Sequence, residues 1–544
     1  MARRVFLLGL DGASWNLLDR LFAEGAMPCL ARLAEQGVRA TLESTVPSVT
    51  PVAWLSLMTG CNPGRHGVFG FLKSSPNNSY LPRPVNRSDA RVPTIFDYYD
   101  EGGPLVSLNL PMSWPATPIN GLMVTGMMTP LRGLRDFEYP AGLLARLGKA
   151  GIDYVIDPKF KARRANDSDA MLAEWHDQRR EFLSLLTDMT RARLDAARLL
   201  MTEETWDCFV CVEVGTDRIQ HLFWDQLMPE DGSGPARDLL AYYRYLDERI
   251  GELVANLSPD DALLVVSDHG FTRTRGLFHA NEWLRRQGWL TRRVAGRSPL
   301  YPLKRALNAV GITRQRLERI LSQSQASRLQ LAASHIDWER SAAYADNPGG
   351  IRVNLRGRET LGAVAPGDFE TLRDQIAIRL RQLASPGGGP LLAAVHASGD
   401  LYWGDARERA SDVVFQFRDD EHWSAYGGDS GGEMFTPTPF RTGDHRADGI
   451  LIAWGGGIRP SRHDNELRFR IWDVLPTLLH LNGRAVPAIC DGRVLTEILT
   501  DRGASRVEAD WRRFLKNRAS GTLAADQAEE ITERLRELGY LSDD

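Results

Sequence analysis

Residues 5–12 read VFLLGLDG, a continuous apolar run that ends at Asp11 and the glycine after it. A run of this kind predicts a short strand buried on both faces, as in a parallel sheet covered by helices. A second run, LLVVS at residues 263–267, ends in the same way at Asp268 and His269. Because ligands of open α/β sheets bind beyond the carboxyl ends of strands, these polar residues are candidates for a common site.

Strand and helix patterns alternate along most of the chain. Apolar runs at 38–42, 105–110, 122–125, 208–214 and 450–453 predict further strands, and segments such as 17–35 and 169–201 predict helices. This alternation predicts an α/β fold with a central, mostly parallel sheet and helices on both faces. We expect a catalytic domain formed by residues 1–290 and 341–500, a helical cap insertion at 291–340, and a C-terminal helical appendage at 501–544.

The composition is that of an ordinary globular protein, with 544 residues of which 43% are hydrophobic and 25% are charged. The formal net charge of −4 gives no basic bias, so no nucleic-acid polymer is expected as a partner. Five cysteines are too few, and odd in number, for a disulfide scaffold. No apolar stretch reaches transmembrane length, and the N-terminal run is too short for a signal peptide. We therefore expect a soluble cytoplasmic protein without a membrane partner.

Asp217 and His221 are four residues apart in a segment that predicts a helix. On a helix these positions share a face, so one cation can contact both side chains. His445 stands in the polar loop TGDHRADG, before the strand pattern ILIAW. Each residue also has a simpler interpretation when it is considered alone: Asp11 as a helix cap, the pair as a local hydrogen bond, and His445 as a surface residue.

Thr50 precedes Pro51 at the predicted start of a helix, where the missing N–H of proline costs little. A helix N-terminus offers N–H groups and a positive field to an oxyanion. A bound cation lowers the pKa of a coordinated hydroxyl, which makes a threonine usable as a nucleophile at neutral pH. The competing interpretation is plain N-capping. Together with six aspartate and histidine residues that could bind metal ions, however, the threonine indicates a hydrolase of phosphate-type esters.

Five segments carry these residues, namely LLGLDG, PSVTPVAWLSLMTGCNPGRHGVFGF, TDRIQH, VVSDHGF and GDHR, which together span residues 5 to about 450. Their order resembles the alkaline phosphatase superfamily, and within it the type I phosphodiesterase/nucleotide pyrophosphatase family. The resemblance implies an alkaline phosphatase-like fold and a hydrolase of phosphoric esters that acts on a small-molecule phosphate ester. It indicates the superfamily and leaves the natural substrate open.

The resemblance also implies two divalent metal ions. One ion would be held by Asp11, Thr50, Asp268 and His269, and the other by Asp217, His221 and His445. Nitrogen and oxygen ligands of this kind favour zinc, with manganese or iron as alternatives. Thr50 would act as the catalytic nucleophile and attack phosphorus, and water would then hydrolyse the phosphothreonine.

Ala53 departs from the family pattern. Nucleotide pyrophosphatases typically carry an asparagine three residues after the nucleophile, where it helps to bind a phosphate oxygen. Pro51 has no N–H to replace it, so part of the oxyanion stabilisation must come from elsewhere; Asn109 and Arg65 have suitable chemistry. Two alternatives stay open: a phosphomutase or phosphotransferase of the same superfamily, and a catalytically inactive metal-holding binding protein.

Overall fold

The computed structural model describes residues 3–75, 78–99, 103–158, 169–293, 335–428, 431–438, 441–460, 467–517, 521–538 and 540–541. Within these residues a nine-stranded sheet forms the centre of the molecule. Across the sheet its strands are Arg468–Arg470, Val38–Glu43, Asp448–Gly455, Ala262–Val266, Val5–Leu10, Cys208–Glu213, Leu105–Leu110, Gly121–Thr125 and Glu138–Tyr139. The strands from Ala262–Val266 to Gly121–Thr125 run parallel, whereas Asp448–Gly455 is antiparallel to both of its neighbours. This architecture confirms the predicted α/β class.

The α-helices of the described residues are Trp15–Ala23, Pro28–Gln36, Thr50–Thr59, Pro63–His66, Ile95–Tyr99, Leu143–Lys149, Asp169–Glu203, Gly215–Leu227, Arg237–Ala255, Ala280–Arg286, Phe369–Arg381, Ser398–Leu401, Val474–Leu481 and Ala525–Glu537. The single helix predicted over residues 17–35 is wrong, because the segment forms two helices. Gly25 adopts a left-handed φ of 61°, and Pro28, which lacks the N–H of a continuing helix, begins the second one. No described helix combines the length and the apolar character that crossing a bilayer requires.

The register of the central strands brings several polar segments to one edge of the sheet. Leu10 is level with Glu213, and Gly9 is level with Val266. The residues that follow these parallel strands therefore emerge side by side. The antiparallel strand begins at the same edge, so the residues before it, including His445, reach this edge as well.

A second hydrophobic core lies outside the central sheet, around a four-stranded sheet of Ala343–Ala345, Gly350–Val353, Val413–Phe417 and Leu392–Ala397. The other strands of the described residues are Leu72–Ser75, Asn78–Pro84, Gly270–Arg273, Leu277–His279, Ser424–Tyr426, Phe435–Thr436, Gly443–Arg446, Val486–Pro487 and Val507–Glu508. Most of the predicted cap, residues 294–334, lies outside the described residues. The division into catalytic domain, cap and appendage therefore stays a prediction.

The C-terminal helix Ala525–Glu537 packs against the main body of the protein. Its residues Ile531 and Leu535 are 0% and 1% exposed and belong to the main hydrophobic core. Burial of a side chain of this size contributes roughly 1.5–3 kcal/mol to stability. The helix is therefore held by its apolar face, and the residues that follow it are carried back towards the central sheet.

A buried ion pair supports the turn that leads into the helix Gly215–Leu227. Arg193 Nη1 lies 3.0 Å from Glu213 Oε2, and both side chains are 0% exposed. The other carboxylate oxygen, Glu213 Oε1, accepts a hydrogen bond of 2.6 Å from the backbone N–H of Gly215. The pair thus fixes the start of a helix that carries two of the candidate metal ligands.

We expect Arg193→Met to lower the free energy of unfolding by about 3–5 kcal/mol, because it leaves a buried carboxylate without its cation. Urea unfolding measures this change. The double variant R193M/E213Q is expected to recover part of the loss, since the remaining amide carries no charge. An unchanged unfolding midpoint in R193M would contradict the expectation.

Candidate metal centre

The first cluster of candidate ligands joins two neighbouring strand ends to the start of a helix. His269 Nε2 lies 3.2 Å from Asp268 Oδ2 and 3.8 Å from Asp11 Oδ1. Thr50 Oγ1 lies 3.4 Å from the same nitrogen. The oxygens Asp11 Oδ1 and Asp268 Oδ2 are buried and accept no hydrogen bond from any residue that the structure describes. Buried carboxylate oxygens without a donor are costly, and a bound cation is the partner that their geometry fits.

The second cluster consists of Asp217, His221 and His445. Asp217 Oδ1 lies 3.2 Å from His445 Nε2 and 3.4 Å from His221 Nε2. The two Nε2 atoms are only 2.9 Å apart. The opposite nitrogens, both Nδ1, lie 3.0 Å from the carbonyl oxygens of Gly443 and Ser48. Because a carbonyl oxygen only accepts, both Nδ1 atoms are donors, and in the neutral rings both Nε2 atoms present lone pairs.

The two clusters adjoin. The rings of His269 and His445 stack with their centroids 3.6 Å apart. Ligand atoms of Asp217, His269 and His445 all lie within 4.8 Å of one another. The seven residues predicted as site residues therefore lie together at one edge of the sheet, and His269 adjoins both clusters.

A glycine makes the tight turn behind the first cluster. Gly12 adopts a φ of 71°, and a Cβ atom at this position would lie 2.5 Å from the ring of Phe271. Its backbone N–H donates a hydrogen bond of 3.2 Å to Asp268 Oδ1. One oxygen of Asp268 is therefore held by the backbone, and its other oxygen is left to face the site.

Burial shifts the pKa values of the ligands. Burial and the neighbouring Asp268 raise the pKa of Asp11 well above its usual range. Burial and Asp217 raise the pKa of Asp268 to about 8. Burial and Arg441 lower the pKa of His221 to about 4, so its imidazole is neutral at physiological pH and can bind a cation.

The sequence analysis did not predict four residues of the site. Asp444 groups with His221 and His445, and its place beside His445 in GDHR was an available signal. Trp54 Nε1 donates a hydrogen bond of 3.3 Å to Asp11 Oδ2. Arg218 and Tyr540 both contact Asp217. No local pattern in the sequence indicates that Tyr540 reaches this position.

The two residues considered as replacements for the missing asparagine are engaged elsewhere. Asn109 Nδ2 donates a hydrogen bond of 3.1 Å to the carbonyl of Val212, and Arg65 Nε lies 2.7 Å from Asp491 Oδ1. Ala53 is 0% exposed and offers no polar atom. The amide nitrogen of Asn109 and the guanidinium of Arg65 therefore already have partners, and the side chain of Ala53 cannot take the place of the asparagine.

Residues 5–448 match the family described as type I phosphodiesterase / nucleotide pyrophosphatase. The chain belongs to this family. This match confirms the predicted family and the predicted class of enzyme, so the protein is a phosphoric ester hydrolase. The family depends on metal ions, in agreement with the clustered ligands of this phosphodiesterase-family chain.

Solved structures with a similar fold include phosphonoacetate hydrolase from Sinorhizobium meliloti 1021 in complex with phosphonoacetate. Its TM-score is 0.54 at 13% identity, over 89% of this chain and 95% of that chain. Human ectonucleotide pyrophosphatase / phosphodiesterase 5 is also similar, with a TM-score of 0.48 at 13% identity over 92% of this chain and 100% of that chain. The similarity to phosphonoacetate hydrolase shows that the two proteins share a fold, and it does not show a shared substrate. No curated protein sequence matches the chain.

Proposed function

We propose that this family member hydrolyses phosphoric esters with Thr50 as the nucleophile and with two divalent metal ions. One ion would be held by Asp11, Thr50, Asp268 and His269, and the other by Asp217, His221 and His445. The observation that carries the proposal is the approach of His221 Nε2 to His445 Nε2 at 2.9 Å, with both Nδ1 atoms facing carbonyl oxygens. Two lone pairs held so close are stabilised by a cation that they share.

The reaction would proceed in two displacements at phosphorus. The bound cations would lower the pKa of the threonine hydroxyl and offset the negative charge of the phosphoryl group. Thr50 Oγ1 would form a bond to phosphorus while the bond from phosphorus to the ester oxygen breaks, and the alcohol would leave. Water would then cleave the phosphothreonine and restore the hydroxyl. Because Thr50 begins the helix Thr50–Thr59, the positive end of that helix would face the phosphoryl oxygens.

Zinc is the metal that we propose, because nitrogen and oxygen donors of this kind favour it, and manganese or iron is the alternative. The substrate would be a small phosphate ester from the cytoplasm. Phosphonoacetate, which the Sinorhizobium meliloti protein binds, belongs in the same substrate panel. The side chain of Ala53 supplies no polar atom for a phosphoryl oxygen. We therefore do not expect nucleotides to be preferred over the other phosphoric esters of the panel.

Elemental analysis and a substrate panel test this proposal together. We expect two metal ions per chain and turnover of at least one phosphomonoester, phosphodiester or phosphonate in the presence of zinc or manganese. Transfer of phosphate to an added acceptor alcohol in preference to water would favour the phosphotransferase alternative. Two bound metals without turnover across the panel would favour the inactive binding protein.

The indole of Trp54 offers a test of the first metal site. We expect Trp54→Phe to weaken binding at this site about 10–100-fold, because it removes the hydrogen bond that orients Asp11. Titration calorimetry of zinc into the metal-free protein measures the affinity. Trp15→Phe is the matched control, since Trp15 Nε1 donates to the carbonyl of Ala40 away from the site. Equal losses in the two variants would contradict the assignment.

A further inference from the structure

Tyr540 lies inside the metal centre although it stands near the end of the chain. Its side chain is 7% exposed, and its ring centroid is 5.2 Å from that of His221 and 4.8 Å from that of Phe71. Its hydroxyl donates a hydrogen bond to Asp217 Oδ2 and accepts one from Arg218 Nη1. The hydroxyl is therefore built into the surroundings of a candidate metal ligand.

The two oxygens of Asp217 have different partners. Oδ1 faces the Nε2 atoms of His445 and His221, at 3.2 and 3.4 Å. Oδ2 accepts hydrogen bonds from Arg218 Nη1, at 2.7 Å, and from the hydroxyl of Tyr540. A carboxylate with one ligand oxygen can rotate about its Cβ–Cγ bond. Two donors on the second oxygen restrict that rotation and aim Oδ1 at the site.

The C-terminal helix is anchored so that Tyr540 reaches this position. Arg534 Nη2 donates a hydrogen bond of 2.8 Å to the carbonyl of Thr129, and Arg534 Nη1 lies 2.9 Å from Glu530 Oε1. Glu530 Oε2 accepts a hydrogen bond of 2.8 Å from the backbone N–H of Leu131. These contacts lie on the same helix whose apolar residues enter the main core.

The same anchor is connected to Asp217 through one further carboxylate. Arg534 Nε lies 3.5 Å from Asp157 Oδ2, and Asp157 Oδ1 lies 3.4 Å from Arg218 Nη2. Arg218 in turn binds Asp217. A continuous set of charged contacts therefore joins the C-terminal helix to the second metal cluster.

We propose that Tyr540 is a positioning residue for the second metal ion, and that the C-terminal helix Ala525–Glu537 and Tyr540 are components of the active site. The inference rests on the proposed two-metal function and deepens it. Tyr540 acts through Asp217: its hydroxyl holds Oδ2 so that Oδ1 binds the metal ion. Binding of the second ion is therefore coupled to the docking of the chain terminus.

Tyr540→Phe tests the proposal, because it removes one hydroxyl and retains the ring. We expect the second zinc ion to bind about 10–100-fold more weakly, and the first with unchanged affinity, in calorimetric titrations of the full-length protein. At limiting zinc, kcat is expected to fall with little change in KM. Excess zinc is expected to restore kcat, which a general loss of structure would not allow.

Tyr243→Phe is the matched control, since Tyr243 is also buried but lies on the helix Arg237–Ala255 and forms no part of the site. Wild-type affinity for both ions in Y540F, or an equal loss in Y243F, would overturn the positioning role and leave the two-metal proposal intact. A wild-type protein that binds fewer than two ions would instead overturn the proposed function, and the inference with it.

Discussion

Replacing Thr50 with alanine is expected to lower kcat/KM for phosphoric esters by about 10³-fold or more, because it removes the only atom that can accept the phosphoryl group in the proposed reaction. The metal content is expected to stay close to that of the wild type, since six other ligands remain. Steady-state hydrolysis of a chromogenic phosphodiester measures the loss. Acid quenching followed by mass spectrometry is expected to detect a phosphorylated Thr50 peptide in the wild type and none in the variant.

Thr50→Ser is the control for this experiment. Serine retains the hydroxyl at the same point of the helix, so we expect it to keep activity within about tenfold of the wild type. Equal rates for wild type and T50A would exclude Thr50 as the nucleophile. The metal ions would then have a role other than activating Thr50.

Replacing Asp268 with asparagine is expected to have opposite effects on the metal-free and the metal-bound protein. Without metal, burial and Asp217 raise the pKa of Asp268 from 3.8 to about 8. Because the folded pKa exceeds the unfolded one, the metal-free wild type should lose stability as the pH rises between these two values. We therefore expect D268N to stabilise the metal-free protein by on the order of 2 kcal/mol at neutral pH.

With zinc present, we expect the wild type to be more stable than D268N. The wild type should gain several degrees in Tm on zinc addition, because the ion binds the folded state alone, whereas D268N should gain little and lose activity. Thermal unfolding with and without a chelator measures both effects. Asp247→Asn is the control, since Asp247 accepts hydrogen bonds from the N–H groups of Cys29 and Leu30 and holds no candidate ion. A D268N variant less stable than the wild type without metal would contradict the proposed role of Asp268.

Much of this arrangement could be predicted from local patterns. An apolar run that ends in an aspartate marks the carboxyl end of a buried strand, and this placed Asp11 and Asp268 at one edge. The four-residue spacing of Asp217 and His221 implied a shared helix face. Each residue considered alone could also be a helix cap, a partner in a local hydrogen bond or a surface residue. The order of the motifs along the chain favoured the role of metal ligand.

Other parts of the site depend on contacts between distant segments. Trp54 follows Thr50 by one helical turn, yet only its packing against Gly9 and the sheet directs the indole towards Asp11. Asp217 Oδ1 faces the histidines because Arg218 and Tyr540 hold Asp217 Oδ2. The stretch 17–35 was predicted as one helix because its apolar spacing is continuous, and the break at Gly25 is a local conformation that periodicity does not reveal.

By itself the sequence determined the class of fold, the family, and which residues stand at strand ends, because these follow from apolar periodicity, local spacing and the order of motifs. The tertiary structure alone decided which atoms of those residues face one another. It also decided that Tyr540 completes the surroundings of Asp217, although 322 residues separate it from the neighbouring Arg218 along the chain. The physical reason is that docking of the C-terminal helix depends on burial and charged contacts with remote segments, and no pattern within the helix specifies those partners.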